Sequence, residues 1–501
     1  MSFLANLLQG IALVLQPSVL LLMVIGLLIG ITMGSIPGMT ATMTVAVLVS
    51  FTFGMQPIEG MTLLLGIYGG ALYAGSIPAI LIRTPGTPSA AATVFDGYPL
   101  AKQGKAGQAI SIATIASVIG GIISVIFLTI LSPQVAKIAL EFGSPEYFAL
   151  AFFGLTIIAN VSGDSLVKGL LTGLLGMFLA TVGLDPIAGV PRFTFGSVEL
   201  TGGIEFIAVM IGLFGIAEGL NRYAEGIGRE AFDRRVARVT PTVSDIRAIT
   251  PTAVLSGIAG TFIGAIPGAG GDIASFVTYN EATRWLSEQT PSFGDGNPLG
   301  VAAAESGNNS STGGALIPTL TLGIPGDSVT AILIGALMVH GIRPGPNLLE
   351  KEPQLVYAIF VAFFLIYVLI LVFGLLGAHL WVILIDFPAK YLWPAIFVLC
   401  AVGAIALRGN LIDIWVMLGA GLLGLLLRAD GYPLAPMVLG MILGPIAESN
   451  LRRSLTISGG SLDVFVHSPI AFGILALTAV SLLIPIVRAN VDRSPFTTNR
   501  S

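Results

Sequence analysis

The chain has 501 residues and a formal net charge of −4, with 54% hydrophobic residues and only 10% Asp, Glu, Lys and Arg, where a soluble domain carries about a quarter. A mean hydropathy of +0.92 excludes an ordinary water-soluble globular protein and points to one that lives in a bilayer. The single cysteine, Cys400, and three scattered histidines, His340, His379 and His467, exclude a disulfide framework and show no metal-ligand spacing.

No Lys or Arg precedes Arg83. The N-terminus therefore lacks the basic region of a cleaved signal, and the first apolar window, 11–33, is expected to stay in the mature chain. Further windows of roughly 20 apolar residues, the length that crosses about 30 Å of hydrocarbon, follow at 57–81, 108–131, 146–163, 167–183, 204–221, 251–266, 354–376, 391–408, 411–428, 432–447 and 468–487. They lack strand alternation, so helices are the expected spanning solution. The predicted fold is an all-α polytopic membrane protein of about 12 transmembrane helices with re-entrant or broken hairpins and two inverted repeats.

The first break comes at Gly34-Ser35-Ile36-Pro37-Gly38-Met39-Thr40, after the first window. A second follows the 57–81 window, where Arg83-Thr84-Pro85-Gly86-Thr87-Pro88-Ser89 leads to Asp96-Gly97-Tyr98-Pro99. Two prolines and a glycine within five positions cannot continue a helix. The chain must turn there, and a new helix start offers free N–H groups and a positive dipole end to an anion. Thr84, Thr87 and Ser89 add neutral donors. A closely packed small-residue contact or a plain loop is the other reading of this segment.

The linker 222–250 carries Arg222, Arg229, Arg234, Arg235, Arg238 and Arg247, which the positive-inside rule places in the cytoplasm. Lys102 and Lys105 mark a second cytoplasmic loop, and Arg488, Arg493 and Arg500 a cytoplasmic tail. Beyond the linker the breaks return. Gly264-Ala265-Ile266-Pro267-Gly268 repeats the first at an offset of 230, and Ile317-Pro318 with Pro325-Gly326 repeats Ile77-Pro78 with Pro85-Gly86 at 240. Ile446-Ala447-Glu448 repeats Ile216-Ala217-Glu218, again at 230. With a basic-free N-terminus outside and the linker inside, the halves run in opposite directions. Residues 1–250 form the first repeat, with tip segments 34–98 and scaffold helices 108–221. Residues 251–501 form the second, with tips 264–345, scaffold 354–450 and an extra helix at 468–487.

Polar residues inside an apolar pattern are costly and usually functional. Ala302 to Gly314 is expected to interrupt the pattern before Leu316, with Asn308, Asn309, Ser310, Ser311 and Thr312 at the mouth of a span, as Na⁺ ligands, carboxylate donors or part of a polar loop. Asp272, after Pro267 and Gly268, is placed to sense a coupling ion or to cap a helix. Asp327 and Ser328 follow the second tip, Pro325-Gly326. Glu218 and Glu448, at matching ends of the repeats, are expected to cap or pair with Arg222 and Arg452, with a role as coupling acids the other reading, and the polar stretch Glu281 to Gly300, with Trp285, is a docking surface or a connecting loop. Catalysis has no support: Gly268-Ala269-Gly270-Gly271-Asp272 misses the glycine-any-glycine-aspartate form of intramembrane aspartyl proteases, and no serine motif of that trade is present.

Gly34 to Thr40, Arg83 to Tyr98, Pro267 to Asp272, Glu305 to Gly314 and Gly323 to Ser328 resemble the signature segments of the large membrane subunit of the tripartite tricarboxylate transporter family, over about residues 15 to 450. The resemblance implies a multi-pass permease of the bacterial inner membrane that takes up citrate-like tri- or dicarboxylates on a cation gradient, Na⁺ or H⁺, by an elevator-type motion. It implies as partners a small membrane subunit, a periplasmic substrate-binding protein, the organic carboxylate and membrane lipid, with an oligomer of the complex open. Nucleic acid is not expected, nor any cofactor besides a possible coupling Na⁺. The alternatives are a passive channel, which needs a continuous polar lining, and a non-transporting scaffold subunit, which needs no duplicated breaks. The expected substrate site is Pro37, Gly38, Thr40, Thr84 to Ser89, Pro267, Gly268, Asn308, Asn309 and Pro325 to Ser328.

Overall fold

A computed structural model describes residues 3–161, 165–225, 241–268, 270–384 and 389–492. The first half carries α1 (Phe3–Val14), α2 (Pro17–Gly34), α3 (Ala41–Leu48), α4 (Pro57–Ala74), α5 (Ser76–Ile82), α6 (Val94–Leu100), α7 (Ala106–Ala139), α8 (Ser144–Val161), α9 (Leu166–Leu179), α10 (Phe206–Met210) and α11 (Ala217–Glu225). The second carries α12 (Val243–Gly264), α13 (Gly270–Trp285), α14 (Pro298–Leu322), α15 (Ser328–Val339), α16 (Leu348–Lys351) and α17 (Pro353–Leu376). After these come α18 (Ala378–Leu384), α19 (Ala389–Arg408), α20 (Ile412–Ala429), α21 (Ala435–Ile457), α22 (Asp463–His467) and α23 (Pro469–Asp492). The only strands among the described residues are β1 (Gly183–Leu184) and β2 (Pro191–Arg192), paired antiparallel.

Among the described residues six helical stretches are long and apolar enough to cross a membrane: Pro17–Gly34, Pro57–Ile82, Val94–Ala139, Val243–Gly264, Pro353–Leu376 and Ile412–Ala429. Shorter apolar helices accompany them. Two compact units result, one of residues 1–140 and 210–422, the other of 141–209 and 423–501. Each draws on both halves of the sequence. The basic residues of the linker from Arg229 to Arg238, like Arg493 and Arg500, lie outside the described residues.

In the first unit α2 packs along α4, and α12 along α14. Both pairs approach backbone to backbone through glycine. A Cβ on Gly30 or Gly34 would lie 2.4 Å from the carbonyl oxygen of Ile67 or Ala71, and on Gly264 it would lie 2.2 Å from that of Ser311. Such contact replaces hydrophobic drive, which lipid does not supply between helices, with dispersion and backbone proximity.

The run 302–314 is not the break that its polarity suggests. It lies in the middle of α14, a continuous helix whose residues from Gly300 to Thr321 are all buried. Ser310, Ser311 and Thr312 donate to the carbonyls of Gly307, Asn308 and Asn309 at 3.1, 2.7 and 2.6 Å. Hydroxyls satisfied by their own helix need no water, and small side chains let α7, α12 and α13 close around them.

The second unit packs α8, α9, α21 and α23. An ionic cluster joins its hairpin to α21: Arg192 meets Glu448 at 2.7 Å, and Arg452 meets Asp185 at 2.7 Å and Glu448 at 3.3 Å. The expected Glu448–Arg452 pair is therefore present, while the side chain of Arg222 lies outside the description. The N–H of Ala188, then Arg452 and the N–H of Ile187, hold the Asp185 carboxyl below the usual carboxylate range. A lowered value in the folded state stabilises it fully above the ordinary value of about 3.9, and the contribution fades only as pH falls toward the folded value. Asp185→Asn should therefore lower the melting temperature by a constant amount from neutral pH to about pH 4, with the difference shrinking below that. Thermal melts of both forms across this range check it.

Candidate functional site

The Pro-Gly breaks at 37–38, 85–86, 267–268 and 325–326 are turns between helices, whereas Pro78 and Pro318, expected to belong to the breaks, lie inside α5 and α14. Gly38 and Gly268 adopt φ of 87° and 82° at the ends of α2 and α12. Arg83 and Gly323 close α5 and α14 in the left-handed region at 59° and 70°. The same conformations thus recur at the offsets of the sequence repeat. Within each half the two tips touch: a Cβ on Gly86 would lie 2.1 Å from the Gly34 carbonyl oxygen, and the Gly268 N–H donates to the Gly326 carbonyl at 2.7 Å. Thr40, after Pro37 and Gly38, caps α3 by accepting from the Met43 N–H at 3.1 Å.

Thr87 and Ser89 are buried and hydrogen-bonded to each other at 3.1 Å, on either side of Pro88, which opens a 3-10 turn. Arg83 and Thr84 point away from them. Both are exposed, the Thr84 hydroxyl reaches only the Ile82 carbonyl at 3.3 Å, and the Arg83 guanidinium sits 6.0 Å from the Tyr98 ring centre.

From the second half come α13, α14 and the start of α15. A Cβ on Gly271 would lie 2.6 Å from Asn308 Oδ1, 3.1 Å from Ser89 Cβ and 3.2 Å from Ser311 Oγ, and one on Gly270 would lie 3.2 Å from Asp327 Cβ. Glycines 270 and 271 thus let Ser89, Asn308, Ser311 and Asp327 meet. Asp327 caps α15 through the Thr330 N–H at 2.7 Å and accepts from the Tyr68 hydroxyl. Asp272, one residue beyond Gly271 in the first turn of α13, is exposed and close enough to feel the Asp327 charge, and its carboxylate has no hydrogen-bond partner among the described residues.

At the centre Asn308 is wholly buried, and neither its Nδ2 nor its Oδ1 has a partner among the described residues. Leaving such an amide unpaired costs about 1–3 kcal/mol. An orphan amide packed against Gly271 and flanked by hydroxyls and acids is what a site for a polar ligand requires.

The rest of the polar run faces elsewhere. Ser310 is turned to α12, where its Oγ would lie 2.2 Å from a Cβ on Gly260. Thr312 bonds the Tyr367 hydroxyl of α17 at 2.7 Å. Asn309 turns toward a carboxylate that the candidate set omitted. Glu305, wholly buried, accepts from the Thr93 hydroxyl, from Ser117 Oγ at 3.1 Å and from Asn309 Nδ2 at 3.4 Å. Asp96 is a second omission: its Oδ1 accepts from the N–H groups of Gly294, Gly296 and Asn297 at 2.8, 3.0 and 2.7 Å, and its Oδ2 from Tyr279 at 2.9 Å. The segment with Trp285, read as a docking surface or loop, is thereby tied to α6. A signal for Glu305 existed, since it is the only charged residue between Asp295 and Asp327.

Residues 20–439 match the model of the tripartite tricarboxylate transporter TctA family. The chain belongs to that family. It is a multi-pass membrane protein of a transport system, not an enzyme, and the tripartite architecture of the family implies partner subunits. An uncharacterised 52.8 kDa protein of Agrobacterium vitis, from the 3′ region of ttuC′ in TAR-I, is 39% identical over 445 residues, covering 88% of each chain. A second uncharacterised protein of that organism, from the corresponding TAR-II region, is 36% identical over 237 residues, 47% of this chain and 98% of its own length. No solved structure matches.

Proposed function

We propose that this TctA-family chain is the large permease subunit of a binding-protein-dependent importer of tri- or dicarboxylates in a bacterial inner membrane, coupled to a cation gradient and working by an elevator-type motion of its tip-bearing hairpins. Its partners are a small membrane subunit and a periplasmic binding protein. The observation that carries the reading is the orphan amide of Asn308 between the tips. Its Nδ2 can donate to a substrate carboxylate, with Ser89, Thr87 and Ser311 as further hydroxyl partners.

The charge at this place argues for coupling. Asp272 and Asp327 stand there, and neither has a Lys or Arg partner among the described residues. A capping carboxylate at the start of α15 competes with a substrate carboxylate for the same amides. A co-bound cation removes the conflict and makes ion and anion binding mutually dependent. Both acids come from the second half, while the first contributes hydroxyls at Thr87 and Ser89, so the two halves supply different chemistry to one site.

The test is uptake of labelled citrate into proteoliposomes holding the chain, its small subunit and the binding protein, with Na⁺ or proton gradients imposed. Accumulation that needs a gradient supports the reading, and leakage down the citrate gradient alone supports a channel. Arg83→Gln in this assay should change citrate affinity less than about fivefold, because an exposed cation–π contact contributes only ~0.5–1 kcal/mol. Loss of all binding in that variant would make an arginine clamp the site.

The inverted repeat carries its own expectation. A cysteine at position 236, outside the described residues, should react only with cytoplasmic reagent, and one at position 349 only with periplasmic reagent. Labelling of both from one side would mean parallel halves.

A further inference from the structure

Two buried carboxylates in the first unit are held in chemically different ways. Asp96 faces three backbone N–H groups, which can only donate, so its partners suit the ionised form. Glu305 faces two hydroxyls, of Thr93 and Ser117, and the Asn309 amide. A hydroxyl donates to a carboxylate or accepts from a carboxylic acid by rotating one O–H bond. Glu305 can therefore gain or lose a proton without its neighbours moving. No Lys or Arg among the described residues pairs with it, and a buried carboxylate that has neither a cation nor the several backbone N–H donors of Asp96 favours its neutral, protonated form.

We propose that Glu305 is an exchangeable proton site of this transporter, filled from one side of the membrane and emptied to the other as the tips move. The step is a simple protonation: the Glu305 carboxylate takes a proton from water on the entry side to give the carboxylic acid, and returns it to water on the exit side. This deepens the transport reading above and rests on it. Coupling to the carboxylate site runs through shared backbone. Thr93 lies four residues after Ser89, and Asn309 follows Asn308 directly, so each wall of the Glu305 nest continues into the tip site.

Among the described residues one tyrosine is close enough to sense Glu305, and two more tyrosines and an acid sit on neighbouring elements. Tyr73 of α4 is near enough to feel its charge and bonds Thr114 at 2.9 Å. Tyr279 of α13 is bound to Asp96 of α6, and Tyr367 of α17 to Thr312 and the Asn309 carbonyl. The position one offset earlier in the first half is Leu65, also buried, so the acid belongs to one half only.

The test uses Glu305→Gln in the full chain, reconstituted with its small subunit and binding protein, and a labelled citrate probe. The variant should lose citrate accumulation driven by a proton gradient yet keep citrate counterflow, which should no longer respond to pH. In the purified chain, infrared difference spectra between acid and alkaline pH should show a protonated-carboxyl C=O band that Glu305→Gln abolishes. Retention of gradient-driven accumulation, or persistence of the band, would overturn the proposal, as would loss of radiolabelled Na⁺ binding in the variant with unchanged pH response. Should Glu305→Gln fail to fold, Ser117→Ala and Thr93→Val take its place: a shifted midpoint of the band upholds the proposal and an unshifted one overturns it. If the wild-type complex moves no citrate under any gradient, the transport reading fails, and the infrared band still decides whether Glu305 exchanges a proton.

Discussion

Asn308→Leu is expected to abolish citrate uptake while raising the melting temperature of the purified chain. The two effects have one cause. The Asn308 amide is fully buried with no partner at either polar atom among the described residues, so an apolar side chain of similar size relieves an unmet demand and should stabilise the empty protein by about 1 kcal/mol. The same change removes the donor proposed to hold the substrate, and the loss of roughly 1–3 kcal/mol of binding weakens affinity by roughly 5- to 150-fold. Thermal melts and binding titrations on one preparation separate the alternatives. A destabilised variant that still binds citrate would make Asn308 a structural residue.

Asp96→Ala should be the most destabilising single change in the tip region. It strips four donors, from Gly294, Gly296, Asn297 and Tyr279, of a shared buried acceptor, at a cost on the order of 3–5 kcal/mol. Asp96→Asn should recover much of this. Its amide oxygen can still accept from the three N–H groups, and the Tyr279 hydroxyl can turn to accept from the new NH₂. Limited proteolysis between Trp285 and Pro298, with thermal melts, checks the order wild type, Asn, Ala. Equal stability of all three would mean that the segment holds by other contacts.

The tips were legible because proline and glycine act locally. Pro37-Gly38 and Pro267-Gly268 force turns wherever they occur, and the structure has turns there with positive φ at both glycines. Asp96, in contrast, stood out only as the residue that the second break leads to, yet it lies in α6, with Pro99 inside that helix, and is a buried acceptor. Local composition misled again at 302–314, where small and polar residues lower hydropathy as a loop would but pack as a helix buried on every side. Glu305 escaped for a different reason: its partners Thr93 and Ser117 stand 212 and 188 residues away in sequence, a juxtaposition that no pattern along one segment encodes. The ionic cluster of Asp185, Arg192, Glu448 and Arg452 was half legible, since Glu448 and Arg452 are four apart on one helix whereas the hairpin that completes it is distant.

The central claim is that the carboxylate binds at Asn308 between the two tips. A structure of the complex in citrate with its driving cation tests it most directly. The account predicts a citrate carboxylate within hydrogen-bond distance of Asn308 Nδ2 and of Ser89 or Thr87. Citrate seated on Arg83 and Tyr98 instead, with the Asn308 amide still unpaired, would contradict it.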